Sequence, residues 1–453
     1  MRAQARRGER GQIAVIVALS LVAFIALIGL AIDAGRAYGV KAKLNAGVDA
    51  AAIAAARALS EGADDAARMA NAQDAATRYF TINFPSGYLG ANPGTVSTTA
   101  QHDATGYWRV TVTGTAVMPT TFLQLLSTST RSVTVTASGQ AIRRDVDLMM
   151  VLDVSGSLGP PTSPSDTMTK LKAAAITGFV ERFAAAPGGD RVGLVSFASG
   201  AVLDVAINKD ANRGFVKTGA GGTGVEDRIN ALTVSGSTAQ AEGMRRAVDE
   251  LNAVPVALRS SLRVILLFSD GAPNDVSATF RRGAAGPNVT GDLYSETDPP
   301  ATTPADRLYS NTQRDNLTGT YDDIANIPAT GLGGIALTGA RTLTAGAPYQ
   351  NTRCNVNKAA RNMIENIAAT ARGQNIIVYT IGLGARLNSS EITFCGYGVN
   401  EYGGSILKRL ANDVGADTHS DATPTGRYCH ADSADDLNSC FSDIASEVLR
   451  LAM

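Results

Sequence analysis

The chain runs to 453 residues with a formal net charge of -1, room for more than one domain of ~100–200 residues and no general electrostatic case for nucleic acid. Its three histidines, His102, His419 and His430, are widely spaced, which argues against a histidine-based zinc site. Four cysteines (Cys354, Cys395, Cys429, Cys440) without a C-x-x-C pair argue against a redox motif or zinc ribbon. In an exported domain they would allow two disulfides in any of three connectivities, the alternative being free buried thiols.

Residues 13–32 form an apolar run with Ser20 as the sole polar side chain, long enough at ~1.5 Å per residue to span a ~30 Å hydrocarbon core. Arg2, Arg6, Arg7 and Arg10 precede it and favour a cytoplasmic N-terminus, although Arg36, Lys41 and Lys43 weaken the bias. A cleaved signal peptide would have a shorter apolar core of ~7–15 residues and a small-x-small exit, whereas here Asp33 interrupts the exit. A pilin-type leader would place Glu at the fifth residue after the glycine, where Gly8 and Gly11 are followed by Ile13 and Ile16. The expectation is a cytoplasmic tail at 1–10 and an uncleaved transmembrane helix at 11–32.

Residues 33–83 are rich in alanine, the best helix former, with Leu44, Val48, Ile53 and Leu59 near helical repeats. They read as a continuation of the membrane helix, either a stalk or a helix-packing surface. Gly, Pro, Ser and Thr gather over 84–105 as a linker. Two amphipathic strands follow, at 108–113 and 132–136. The 84–144 stretch thus reads as a linker and small β-rich region, its strands in their own sheet or extending the main one.

From 145 to 453 strands and helices alternate. Apolar strands are predicted at 148–152, 191–197, 262–268 and 376–381, with an edge strand at 201–206. Helices are predicted at 170–185, 238–252, 359–372, 406–414 and 434–451. Continuous apolar strands between amphipathic helices indicate an α/β, Rossmann-like domain with a mainly parallel sheet covered on both faces. A stretch of about 271–352, rich in Gly, Thr, Asn, Pro and Asp, reads as an insertion.

The stretch 147–157 ends its strand in Asp153-x-Ser155-x-Ser157. A carboxylate and two hydroxyls at alternate positions, where a parallel strand turns into a loop, suit a hard divalent cation that prefers oxygen ligands. Thr238, in Gly236-Ser237-Thr238 before a helix, and Asp270, which ends a strand as Ser269-Asp270-Gly271, offer two more oxygens. Ligands in open α/β sheets bind at the carboxyl ends of strands, so all five belong on one rim. Taken alone, D-x-S-x-S is as readily a turn and helix cap; the ordered set favours the metal site. Two aspartates nominally balance a dication, yet hydroxyl-rich ligation leaves it electrophilic toward a partner's Asp or Glu.

These residues resemble the von Willebrand factor A (VWA) domain and its metal-ion-dependent adhesion site (MIDAS). The resemblance implies that Asp153, Ser155, Ser157, Thr238 and Asp270 hold Mg²⁺ (or Ca²⁺ or Mn²⁺). Leu158 stands where Met is common and Ser237 where Gly is common, and the insertion leaves from the metal rim, where it would cover the site or join the partner surface. The N-terminal segment, with Arg10-Gly11-Gln12-Ile13-Ala14-Val15, Gly29-Leu30-Ala31-Ile32-Asp33 and Leu44-Asn45-Ala46-Gly47-Val48-Asp49-Ala50-Ala51-Ala52, resembles TadG-like proteins of tight-adherence (Flp) pilus assembly. The combination implies a single-pass bacterial inner-membrane protein with its bulk in the periplasm, acting in pilus assembly or adherence through another pilus or envelope protein. In that compartment Cys354–Cys395 and Cys429–Cys440 are the expected bridges, the first toward the metal rim.

An enzyme is the competing class. Metal-assisted hydrolysis needs a positioned water and usually a general base, and no His lies near the motifs. Neither G-x-x-x-x-G-K-[ST] nor a G-x-S-x-G around Ser155 occurs, so a non-enzymatic binding module is expected. A structural pilus subunit or tip component displaying the VWA domain is the alternative.

Overall fold

The computed structural model describes residues 9–59, 65–102, 107–126, 131–163, 165–185, 189–295, 302–344, 349–388, 395 and 401–452. Helix α1 (Glu9–Ala58) is 50 residues long. Its first part stands clear of the protein, with Leu19, Val22 and Phe24 at 66 %, 66 % and 62 % exposed. By length and composition it is apolar enough to cross a membrane.

From Val40 onward α1 buries one face. Val40, Leu44, Val48, Ala51, Ala52, Ala55 and Ala56 recur near the helical period. They pack on α2 (Asp65–Asn83) and on an antiparallel sheet of β1 (Asn92–His102), β2 (Tyr107–Pro119) and β3 (Ser132–Arg144), in that order. The alanine-rich stretch therefore makes its own small core with Phe80, Phe84, Trp108, Val110 and Val112 rather than standing free. Close approach depends on glycine: a β-carbon at Gly114 would lie 2.6 Å from Phe80 Cε2 and 2.9 Å from Val48 Cγ1. The sheet is separate from the main one, and β1 arises from residues that composition alone marks as linker.

Asp33, only 1 % exposed, pins this unit where the apolar run ends. Its carboxylate accepts the N–H groups of Thr121, Phe122 and Leu123 at 3.0, 2.8 and 2.9 Å. These are the orphan donors at the start of short helix α3 (Leu123–Leu126), capped here from another helix.

Asp145 alone separates β3 from β4 (Val146–Asp153), and the junction is a buried ionic knot. Arg143 donates to Asp145 Oδ1 and Asp190 Oδ2, both at 2.7 Å. Asp190 also accepts the N–H of Val146 at 2.9 Å and of Ala184 at 2.8 Å. Arg191 and Arg213 both donate to Asp147 Oδ1 at 3.0 Å. His102 Nε2 lies 3.0 Å from Asp145 Oδ2, its ring stacked on Trp108.

The main sheet adds β5 (Arg191–Phe197), β6 (Ala201–Val205), β7 (Leu262–Ser269), β14 (Ile376–Leu383) and β15 (Tyr428–Ala431). Its order is β15-β14-β7-β4-β5-β6, with every neighbour parallel except β6 against β5. Side chains alternate across it, as the pleat requires. Met149, Val151, Ile265 and Leu267 face α6 (Gln240–Ala253), α7 (Arg353–Gly373) and α8 (Gly403–Ala411). Leu148, Met150, Leu152, Val264, Leu266 and Phe268 face α4 (Thr167–Ala173), α5 (Val225–Asn230) and α9 (Leu437–Leu451).

The insertion folds as an antiparallel sheet of β8 (Asp275–Arg281), β9 (Asn288–Tyr294), β10 (Arg307–Tyr309) and β11 (Leu317–Thr320), with a small pair β12 (Asn326–Ile327) and β13 (Tyr349–Gln350). Val276, Ala278, Phe280, Leu293 and Leu308 join the core beneath α6 and α7, making a third layer. Both expected disulfides are present. Cys354 in the first turn of α7 meets Cys395, and Cys429 on β15 meets Cys440 on α9, with Cα separations of 5.2 and 5.7 Å.

Candidate metal centre

The carboxyl ends of β4 and β7 bring Asp153 and Asp270 to one rim, because adjacent parallel strands end side by side. Asp153 is fully buried and Asp270 is 8 % exposed. The loop after β4 folds Ser155 and Ser157 back over them. Ser155 N–H donates to Asp153 Oδ1 at 2.8 Å, and the two serine hydroxyls are 3.1 Å apart. Ser157 Oγ donates to Asp270 Oδ1 at 2.9 Å, with Ser155 Oγ 3.5 Å from the same oxygen. Four of the five sequence-predicted residues are thus joined directly.

Thr238 is placed beside them. A β-carbon at Gly271, the residue after Asp270, would lie 3.8 Å from Thr238 Oγ1. Its loop is tied to the β4 loop by Gly156 N–H donating to Gly236 O at 3.1 Å and Ser235 N–H to Val154 O at 2.9 Å. Gly236 holds φ +69°, a left-handed turn that suits glycine.

Several supporting residues escape a reading by motif. Ser269 Oγ donates to Asp153 Oδ2 at 2.6 Å, and Gln240 Nε2 donates to Ser269 Oγ and to Gly271 O, each at 2.7 Å. The insertion leaves the rim at Asn274 and Asp275, whose side chains accept Thr238 N–H at 3.0 and 3.1 Å. Ser269 sits next to Asp270 and was the one available signal; the others meet the site only through tertiary structure.

Burial, and then the charge of Asp270, pushes the Asp153 carboxyl up to about 7. Burial also raises Asp270, partly offset by hydrogen bonds from Ser157 and by the charge of Arg386. Burial pushes Asp275 up to about 8. Two carboxylates and three hydroxyls on one rim are an all-oxygen donor set of the kind a hard dication takes. Among the described residues no cluster of three or more His, Cys, Asp or Glu offers an alternative.

The sign of the pH effect follows. A carboxyl whose folded pKa is raised binds its proton more tightly in the native state. Its contribution is therefore complete below the ordinary carboxyl value, near 3.8, and is lost as pH rises through about 7. The melting temperature of chelator-treated protein is expected to fall between pH 5 and pH 8, and the increment from added Mg²⁺ to grow over the same range. An increment that does not change with pH would contradict this.

Residues 148–272 match the von Willebrand factor type A domain, and residues 11–58 match the putative Flp pilus-assembly TadE/G-like family. No curated protein matches the chain significantly. Among solved structures, the vWF domain of the type V pili tip protein Mfa5 from Porphyromonas gingivalis is 18 % identical at a TM-score of 0.38, covering 69 % of this chain and 98 % of that one. The PilB minor pilin from Streptococcus sanguinis is 16 % identical at 0.38, covering 80 % and 79 %. The pilus adhesin SpaC from Lactobacillus rhamnosus GG is 14 % identical at 0.37, covering 80 % and 34 %.

Proposed function

We propose that this TadG-like chain with a von Willebrand factor type A domain is a membrane-anchored, non-enzymatic binding component of Flp pilus assembly or adherence. Asp153, Ser155, Ser157, Thr238 and Asp270 would hold Mg²⁺, Ca²⁺ or Mn²⁺. When bound, the ion supplies an electrophilic position that an Asp or Glu of a protein partner completes. Asp153 and Asp270 provide the charge that retains the ion. Ser155, Ser157 and Thr238 provide neutral oxygens, and Ser269 and Gln240 fix the orientation of Asp153.

One observation carries this reading: Asp153, Ser155 and Ser157 share a single hydrogen-bonded web at the sheet rim with Asp270, 113 residues beyond Ser157. The anchoring rests on the exposed apolar surface of α1 and on the arginines before it, which favour a cytoplasmic tail and a periplasmic head at the bacterial inner membrane.

The test is capture of envelope proteins by the full-length chain in detergent, with Mg²⁺ or with chelator. Specific partners are expected in Mg²⁺ and absent with chelator, and absent from Asp153→Asn under both conditions. Capture that ignores both chelator and substitution would refute the metal-dependent reading. In cell fractionation the chain is expected with the inner membrane; release with sheared fibres would instead make it a structural subunit.

A further inference from the structure

A second group of oxygen donors lies beside the metal centre, on the side of the insertion. Ser237 Oγ is 2.7 Å from Asp275 Oδ2 and 3.1 Å from Ser199 Oγ, and Ser199 Oγ is 3.1 Å from Asp315 Oδ1. Ser199 and Asp275 are fully buried. The four residues come from four chain segments: the β5–β6 turn, the loop before α6, the start of β8, and the β10–β11 loop. The last is pressed into place, since a β-carbon at Gly200 would lie 2.1 Å from Ser310 O and 2.4 Å from Gln313 O.

The protein's own donors leave this group incomplete. Asp275 Oδ1 is buried without a hydrogen-bond partner. So is Asp292 Oδ2, on the same face of the β8–β9 ladder, where Asp292 pairs with Ser277. Arg245 and Arg246 both pair with Glu242, and Arg245 also with Asp249, and they act on Asp292 through charge without bonding its Oδ2. Buried polar atoms in native proteins are nearly always satisfied, and a carboxylate oxygen left over asks for a proton, a water or an ion. Two carboxylates and two hydroxyls converging from separate segments suit a hard dication.

We infer that Asp275, Asp315, Ser199 and Ser237 form a second divalent-cation site that ties the insertion to the rim. Through Asp275, which accepts Thr238 N–H, an ion there would also fix the position of Thr238.

Mn²⁺, which oxygen sites of both kinds accept, is the probe. Equilibrium dialysis of the full chain in detergent counts the bound ions. Two per chain are expected for wild type, one for Asp153→Ala, one for Asp315→Ala and none for the double variant. Asp315 is an exposed loop residue, so its removal does not endanger the fold. Asp275→Asn, which keeps an acceptor for Thr238 N–H, is expected to match Asp315→Ala. A wild-type count that neither Asp315→Ala nor Asp275→Asn lowers would overturn the inference, as would loss of all binding in Asp153→Ala. A single ion lost in Asp315→Ala but kept in Asp153→Ala would support this site and remove the one in the proposed function.

Discussion

Asp153→Ala is expected to remove the rim centre's share of the Mg²⁺-dependent rise in stability while leaving the chain folded. A ligand that binds only the native state, present at ~100 times its dissociation constant, adds about 2.7 kcal/mol. With the second cation site removed in an Asp315→Ala background, that increment should appear when Asp153 is intact and vanish in the variant. Alanine also strips Ser155 N–H and Ser269 Oγ of their acceptor, so some loss without metal is expected as well. Asp153→Asn separates the effects. It keeps an oxygen and removes the repulsion from Asp270, so at pH 8 without metal it should be at least as stable as wild type, yet lose the rim centre's share of the gain from Mg²⁺. Thermal melting of the full chain in detergent, with and without chelator, makes the measurement. Identical wild-type curves in both conditions would remove the metal centre.

Arg143→Met is expected to be far more damaging than its distance from the rim suggests. Burial alone would disfavour the guanidinium's charge, but Asp190 and Asp145 outweigh it and hold its pKa above the ordinary value. Removing Arg143 takes the bonded guanidinium from two buried carboxylates, leaving Arg213 Nε at 3.6 Å and His102 beside Asp145 and two backbone N–H groups on Asp190. Breaking a buried pair in this way costs about 3–5 kcal/mol, because the surviving charge is uncompensated. Urea unfolding of the full chain should register the loss, and Asp190→Asn in the Arg143→Met background should recover part of it. A loss under ~1 kcal/mol would mean that the junction is wetter than its burial indicates.

Much of the architecture is legible in sequence because the relevant forces are local. The main strands are continuous apolar runs and their helices amphipathic, so tertiary context only confirms what pattern dictates. β1 escapes that logic. Asn92–His102 has almost no apolar residues, since its side chains remain largely exposed and its order comes from pairing with β2. The insertion sheet hides differently: β8 and β9 set the core residues Val276, Ala278, Phe280 and Leu293 beside buried Asp275, Ser277 and Asp292, a polar content that composition assigns to loops. At the rim, spacing singles out Asp153, Ser155, Ser157, Thr238 and Asp270 because a metal site imposes a pattern on each loop. Nothing comparable marks Gln240, Asn274 or Asp275, whose roles depend on which loops meet. Asp33 belongs with them: as an interruption of an apolar run it looks like a boundary, whereas its three hydrogen bonds make it a cap for a helix nearly ninety residues away.

The near-seamless passage from β3 through Asp145 into β4 has a mechanical corollary. The rim lies at the far end of β4, a central strand, and its other end continues into the sheet seated on α1. Tension between the rim and the apolar helix would run along the strand axis. The ladders to β5 and β7 would then be sheared together rather than unzipped one rung at a time.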